Sequence, residues 1–427
     1  MKKNRKRRRL KKSGLIIIII FLLLILGGVY YIYDKTNEKR IKNNETKLLA
    51  TIKSHYGIYV VTNKDANLYD SNFKEAGHIS KGIALVLADN KITKDTQYFE
   101  ISNLEGFYIK YDDVDVAEEE TKSDRYKVYI PFNQNIKTKD KTTFYNESKA
   151  LMYTLNKTID SPIIVKDNDY YGVEFDGGLL YVKKDEVEVY DHHNTDKSNT
   201  NGAAVLNYHF FYEDDNQDGC NEVICASASQ LRSHLEYFKK NNILTLKMHE
   251  LEMYMDKKIQ LPKSVLITID DGGRTKVAVD MLTEYKMYAT IFLITSWFNL
   301  DDYYKTDYIE FHSHTHNMHD GGKCPGGQGG AIKCLPRDEI LADLKASREA
   351  LGGSTAFCYP FYEFNNYSRE LLKEAGFTMA FIGEVYNCSY GPYKLAEVGG
   401  DKLEIPRFVV VTYTTIDELN RYFNEIR

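Results

Sequence analysis

A chain of 427 residues, 43% hydrophobic and 27% charged, is too long for one ordinary domain and able to bury sizeable cores. Nine of its Lys and Arg residues fall in the opening MKKNRKRRRLKK; with those set aside, the formal net charge of −5 becomes −14 over residues 13–427. A balance that acidic excludes nonspecific nucleic-acid binding as the main task.

The basic tail, residues 1–13, leads into LIIIIIFLLLILGGVYYIY, Leu15 to Tyr33, with no charged residue. Such a run is close to the ~20 residues a helix needs to cross the hydrocarbon core of a bilayer. A cleaved secretory signal is the competing reading, but its apolar core is typically shorter, and no small-x-small cleavage site follows. Residues 14–33 are therefore expected to form a retained transmembrane helix with the lipid bilayer as partner. Tyr30, Tyr31 and Tyr33 would sit at the far interface, the tail in the cytoplasm and the rest of the chain outside the cell membrane.

Residues 34–50, polar and rich in Lys, Asn and Glu, read as a stalk. From about 51 to 191 the pattern changes to short β-type runs separated by Gly, Asn and Asp turns. TNKDANLYD (from Thr62) is echoed by TKDKTTFYN (from Thr138), and YIKYDDVDV (from Tyr108) by YVKKDEVEV (from Tyr181), at offsets of 76 and 73 residues. The repeat divides the region into small all-β modules at 51–120 and 121–191. They resemble the tandem SH3-like barrels of bacterial surface proteins, on the period, the LYD-type start and the YxK-acid-acid-V end. Residues 192–202 are a polar linker, with His192 and His193 read as solvated.

From 203 to 427 the pattern alternates. AAVLNYHF, SVLITID, ATIFLIT, TAFCYPF, MAFIGE and FVVVTY read as strands. ASASQLRSHLEYFKKN, TKVAVDMLTEYKM, RDEILADLKASREAL and NNYSRELLKEAG read as amphipathic helices. Alternation over some 225 residues points to an α/β barrel-like domain with its function at the C-terminal ends of the strands.

Two stretches there carry chemistry. SVLITIDDGGRT ends an apolar strand in adjacent carboxylates, Asp270 and Asp271, and then turns on two glycines. Paired acids at a strand end suit a metal, a proton relay or both, or else a polar loop capping the next helix. FHSHTHNMH packs four histidines, His312, His314, His316 and His319, into eight positions. The strand IEFHSH puts His312 and His314 on one face by its period of two, and Asp271 with two histidines would make the open three-ligand site of a hydrolytic divalent metal. HELEM at His249 is the chain's one His–Glu pair, so an HExxH protease is excluded.

With these residues in place the chain resembles the NodB-homology polysaccharide deacetylases, carbohydrate esterase family 4. Their T-F-D-D-G motif corresponds to Thr268–Gly272, which implies Asp270 as general base and Asp271 as metal ligand. The common H-[S/T]-x-x-H motif would put its second ligand on Met318. The exopolysaccharide (poly-N-acetylglucosamine) branch has one more residue between its histidines, and HTHNMH fits it with His314 and His319 as ligands; His312 and His316 are then supporting or exposed. FCYPFYEFN resembles the third motif, with Pro360 and Phe361 at the oxyanion position. Tyr362 stands where that motif has glycine, and Thr355 where the family has an arginine. IPRF offers Arg407 to orient a carboxylate, a plain salt bridge being the alternative. The branch is circularly permuted, so its catalytic histidine comes first, and VLNYHFF supplies His209 as the acid; the bland alternative is a core histidine.

The resemblance covers about 203–427. It implies a distorted (β/α)7-type barrel, a divalent metal (zinc first, then cobalt, nickel or manganese) and an N-acetylglucosamine-containing polysaccharide, either peptidoglycan or exopolysaccharide, as substrate. The rival is a wall- or glycan-binding surface protein that has lost activity, which the missing arginine favours and the retained acids and histidines oppose. In an exported domain Cys220–Cys225 and Cys324–Cys334 are candidate disulfides closing short loops, while Cys358 reads as a buried strand residue.

Overall fold

The computed structural model describes residues 27–40, 42–43, 58–88, 97–119, 123–217, 219–303, 305–383 and 394–427. The basic tail, residues 14–26 of the expected span and 44–50 of the stalk lie outside them. Residues 27–40 are helical, and no helix among the described residues is long and apolar enough to cross a membrane.

One compact unit is made of Met1–Asp124, Lys137–Asp160 and Glu174–Glu188. The sequence repeat is a repeat of structure down to single hydrogen bonds. Strands Ala66–Tyr69 and Thr142–Tyr145 alternate buried and half-buried side chains in the same phase. Each ends in a tyrosine whose partner on a later strand is another tyrosine, Tyr69 with Tyr108 and Tyr145 with Tyr181. Each then turns on an Asx side chain: Asp70 Oδ1 accepts from the Lys74 N–H at 2.9 Å, and Asn146 Oδ1 from the Ala150 N–H at 2.9 Å. Both turns carry a left-handed residue three positions after the Asx, Phe73 at φ 59° and Lys149 at φ 65°. The antiparallel pairing of Gly77–Ile79 with Tyr153–Leu155 joins the repeats. Gly77 permits it, since a Cβ there would meet the Thr154 carbonyl at 2.5 Å.

The second unit comprises Arg125–Ile136, Ser161–Val173 and Val189–Arg427. It is a mixed α/β structure. Its strands are β1 (Gly202–Tyr208), β2 (Ser264–Ile269), β3 (Ala289–Leu293), β4 (Ile309–Ser313), β5 (Ala356–Cys358), β6 (Met379–Phe381) and β7 (Phe408–Val409). Every residue of β1, β2 and β3 is buried, as expected of parallel strands covered on both faces. β1 to β6 pair in parallel in that order. The stretch from Ile405 to Val409 touches both ends of the run: Ile405 bridges Phe381 of β6, and β7 pairs with β1. The parallel strands therefore close on themselves, with Arg407 inside the closing segment.

The helices are α1 (Ala228–Lys240), α2 (Met248–Met255), α3 (Lys276–Tyr285), α4 (Arg337–Ala350), α5 (Asn366–Ala375) and α6 (Ile416–Phe423). The sequence reading lacks α2 and α6. Lys247 precedes α2, so the usual Ser, Thr, Asp or Asn start signal is missing. The Glu250 carboxylate does the capping instead, accepting the Lys247 N–H at 2.9 Å. Glu250 is fully buried and also takes Arg125 Nε at 2.7 Å, Arg125 Nη2 at 2.8 Å and the Tyr129 hydroxyl at 3.0 Å. Both suspected disulfides, Cys220–Cys225 and Cys324–Cys334, are present, and Cys358 is free.

Burial pushes the Glu250 carboxyl up, but Arg125 outweighs it and holds the group below its usual value. The stabilisation is thus present above the unfolded value of ~4.3 and is lost as pH falls through the lower folded value. Arg125→Ala strands a buried carboxylate, and a loss of ~3–5 kcal/mol is expected in chemical denaturation at neutral pH. That deficit should shrink in acid; a deficit that is small, or independent of pH, would show the pair to be dispensable.

Candidate active site

The site lies where β1, β2, β4, β5 and β7 end or begin. Asp270 and Asp271 follow β2, and the backbone turns sharply there, with φ 71° at Asp271 and 99° at Gly272. A side chain at Gly272 would collide with Leu293 Cδ1 at 2.4 Å. The turn sends the two carboxylates to different partners.

Asp270 is met by Arg407 in a bidentate pair, Nη1 to Oδ1 at 2.7 Å and Nη2 to Oδ2 at 2.8 Å. Both residues are 1% exposed. Arg407 also donates through Nε to the Ile382 carbonyl at 3.0 Å and through Nη1 to Thr268 Oγ1 at 3.1 Å. Burial pushes the Asp270 carboxyl up, yet the Arg407 guanidinium and His314 together hold it well below the usual carboxylate range. Arg407 favours the charged form of Asp270 and fixes the direction of both its oxygens.

Asp271 faces the histidines. Its Oδ1 lies 3.3 Å from His314 Nε2 and 3.4 Å from His319 Nε2, and the three ligand atoms fall within 4.8 Å of one another. His314 Nδ1 lies 2.8 Å from the Cys358 carbonyl; donating its proton there leaves the Nε2 lone pair for a cation, the arrangement usual for a metal-ligating histidine. Asp270, His314 and Cys358 form a second cluster of ligand type, but Asp270 there has both oxygens committed to Arg407. The donor set Asp271, His314 and His319 fits a divalent metal. His319 is packed between Phe361, ring centroids 4.7 Å apart, and Trp297, 5.6 Å.

The other two histidines of the run go elsewhere. His312, two residues before His314, is bonded through Nδ1 to Ser354 Oγ at 2.9 Å and packs near Phe292; burial lowers it to about 4, which favours the neutral imidazole. His316 pairs through Nδ1 with Thr295 Oγ1 at 2.9 Å. Asp343 of α4, which the sequence reading passed over, fixes the loop between His314 and His319. Its two oxygens accept the N–H groups of His316 and Asn317 at 2.8 and 2.7 Å.

His209 stands directly after β1, its Nε2 4.0 Å from Asp270 Oδ2 and 3.2 Å from the Tyr362 hydroxyl. Burial holds the imidazole below its usual value, with Asp270 and Asp271 offsetting only part of the fall. Pro360 and Phe361 lie in the short 3₁₀ segment after β5, with Phe361 itself left-handed at φ 57°. Cys358 reads as a plain buried strand residue in the sequence, but its sulfur is 3.1 Å from Arg407 Nη2 and 3.3 Å from Asp270 Oδ2. No local signal could have shown this, since the contacts span 49 and 88 residues.

A family model described as polysaccharide deacetylase matches residues 257–380, which include both acids, all four clustered histidines and the Pro360 segment. The chain carries a polysaccharide deacetylase domain. It is 29% identical over 221 residues, 43% of this chain and 73% of the relative, to the poly-β-1,6-N-acetyl-D-glucosamine N-deacetylase of Staphylococcus aureus. The protein of the same name from Staphylococcus epidermidis is 26% identical over 246 residues, 50% of this chain and 81% of that one. Among solved structures, IcaB from Ammonifex degensii superposes with a TM-score of 0.42 at 20% identity, covering 53% of this chain and 97% of its own.

Metal uptake separates the four histidines of the deacetylase domain's cluster. His314→Ala and His319→Ala are expected to abolish stoichiometric zinc binding, since an open site loses one of three protein donors. His312→Ala and His316→Ala should bind zinc as the unaltered chain does. Calorimetric titration with zinc checks this; equal losses for His316→Ala and His319→Ala would contradict the assignment.

Proposed function

We propose that the chain is a membrane-anchored, outward-facing, metal-dependent N-deacetylase that removes acetyl groups from N-acetylglucosamine residues of a polysaccharide. The observation that carries this reading is the juxtaposition of Asp271, His314 and His319 with a second carboxylate, Asp270, held as an anion by Arg407. One acid and two histidines make a metal site; a separate fixed anion beside it makes a hydrolytic one.

A divalent metal bound there, zinc by preference for this mixed N/O set, supplies Lewis-acid polarisation of the acetamide and an acidified water. The protein supplies the rest. Asp270 takes a proton from the attacking water. Bidentate anchoring keeps its oxygens from rotating as the charge moves. Phe361 and Pro360 border the oxyanion position, with the Phe361 N–H as the donor for the negative charge that develops on the acetamide oxygen. His209, beside Asp270, delivers a proton to the departing nitrogen, so the amide C–N bond breaks to acetate and a free amine on the sugar.

The names carried by the staphylococcal relatives make a β-1,6-linked N-acetylglucosamine oligomer the first substrate to try, with peptidoglycan fragments next. Zinc- or cobalt-loaded protein is expected to release acetate and leave a primary amine on such an oligomer. Asp270→Asn and His209→Ala should each lower turnover by about 10²–10⁴-fold with metal content intact. Loaded protein that releases no acetate from either substrate class would refute the reading.

In this reading residues 14–33 are the anchor, and SH3-like modules precede the enzyme along the chain. Protease added to intact cells should remove everything beyond the stalk; protection of the deacetylase domain would place it on the other side of the bilayer.

A further inference from the structure

Tyr362 occupies a backbone position suited to glycine. Its φ of 60° follows 57° at Phe361, two left-handed residues in succession, a conformation that non-glycine residues adopt rarely. The side chain is nevertheless closely seated. Its ring lies against Gly383, where an added Cβ would come within 2.6 Å of the ring carbons. The Arg407 guanidinium sits 5.5 Å from its centroid.

The hydroxyl points into the site and its hydrogen-bonding direction can be worked out. Asn207 is fully buried in β1, and its Nδ2 donates to the Tyr208 carbonyl at 3.2 Å. That fixes which end of the amide is oxygen. Asn207 Oδ1 then accepts the Tyr362 hydroxyl proton at 2.8 Å. With its one proton so committed, the Tyr362 oxygen can only accept from the neighbour on its other side, His209 Nε2 at 3.2 Å. Nε2 is also the nitrogen that approaches Asp270 Oδ2, at 4.0 Å.

We propose that Tyr362 is a positioning residue for His209: its hydroxyl, aimed by Asn207, holds the Nε2 proton of His209 beside Asp270. This deepens the deacetylase reading and rests on it for the role of His209 as acid. The charged and titratable groups around His209 are Asp270 and Asp271 after β2, His314 after β4, Arg407 before β7 and Tyr362 itself. Tyr362 is the one among them that offers a neutral acceptor in direct hydrogen-bond contact.

Tyr362→Phe removes one oxygen and keeps the ring. With the zinc-loaded full chain and a β-1,6-linked N-acetylglucosamine pentamer as probe, kcat is expected to fall about tenfold, with KM and zinc content unchanged. Losing an acceptor that favours the protonated imidazole lowers the His209 pKa, so the alkaline limb of the kcat profile should move to lower pH. His209 titration is read independently by NMR of ¹³C-labelled histidine, with His209→Asn for assignment, and should fall by about half a pH unit or more. Tyr362→Gly, which suits the backbone, serves for the same measurements if Tyr362→Phe does not fold. An unmoved His209 titration overturns the proposal, and so does a moved titration with unchanged kcat in an active enzyme. If the unaltered chain releases acetate from neither the pentamer nor peptidoglycan fragments, it is the deacetylase reading that fails, and the titration alone decides whether Tyr362 holds His209.

Discussion

Arg407 and Asp270 bury two full charges at the centre of the parallel strands, and a pair so placed persists only where its remaining polar atoms are also answered. Here they are: the guanidinium reaches the Ile382 carbonyl, Thr268 Oγ1 and Cys358 Sγ as well as both carboxylate oxygens. Those partners come from β2, β5 and the end of β6. The arginine comes from the segment that bridges β6 and pairs with β1, so one side chain ties the closure of the strands to the aim of the anion. Lysine could not replace it, since a point charge cannot hold two oxygens in plane. Removing either member would leave a buried charge uncompensated, at a cost of ~3–5 kcal/mol.

The metal-type cluster is built by the opposite means. His314 and His319 are five positions apart on a loop, and nothing in a loop alone brings two imidazoles to one oxygen. Three outside contacts do so: Asp343 takes the two N–H groups at the loop's centre, Thr295 holds His316, and the Cys358 carbonyl orients His314. The same loop end is flanked by a second braced segment. Cys324–Cys334 closes the loop that follows, and Glu363 accepts the Gly330 N–H at 2.7 Å and Lys333 Nζ at 2.8 Å. Glu363 is two residues from Phe361, which packs on His319. His314 and His319 are therefore held by neighbours that are themselves held.

Much of this was legible in the sequence, and for stated reasons. Apolar runs such as SVLITI show themselves because both faces of a parallel strand are buried, and adjacent acids at a strand end attract notice because burial makes them costly. The choice between His312 and His314 was not legible from alternation, which gives both the same face; it depends on depth, and His312 lies lower, against Phe292 and Ser354. α2 stayed hidden because Glu250 caps it with a side chain whose real partner, Arg125, is 125 residues away. Tyr362 was visible as a departure from a glycine pattern, but its partner Asn207 lies 155 residues away. What sequence spacing cannot carry is contact between segments remote along the chain, and the support of this site consists of such contacts.

The backbone repeats the point in another form. Non-glycine residues with positive φ are few in any protein, yet Asp271, Thr315, Phe361 and Tyr362 all adopt it, each within or beside a segment that supplies a site group. At Asp271 the turn separates two adjacent carboxylates. At Thr315, φ 77° directly follows His314 and leads the chain off the strand toward His319. At Phe361 and Tyr362 two such residues deliver one ring to His319 and one hydroxyl to His209. Conformations of this kind cost of order 1–3 kcal/mol each and persist only where the surroundings over-determine them. The buried ion pair, the Asp343 clasp and the Asn207–Tyr362 bond are the surroundings that do so, which makes the rigidity of the scaffold a condition of the site's geometry.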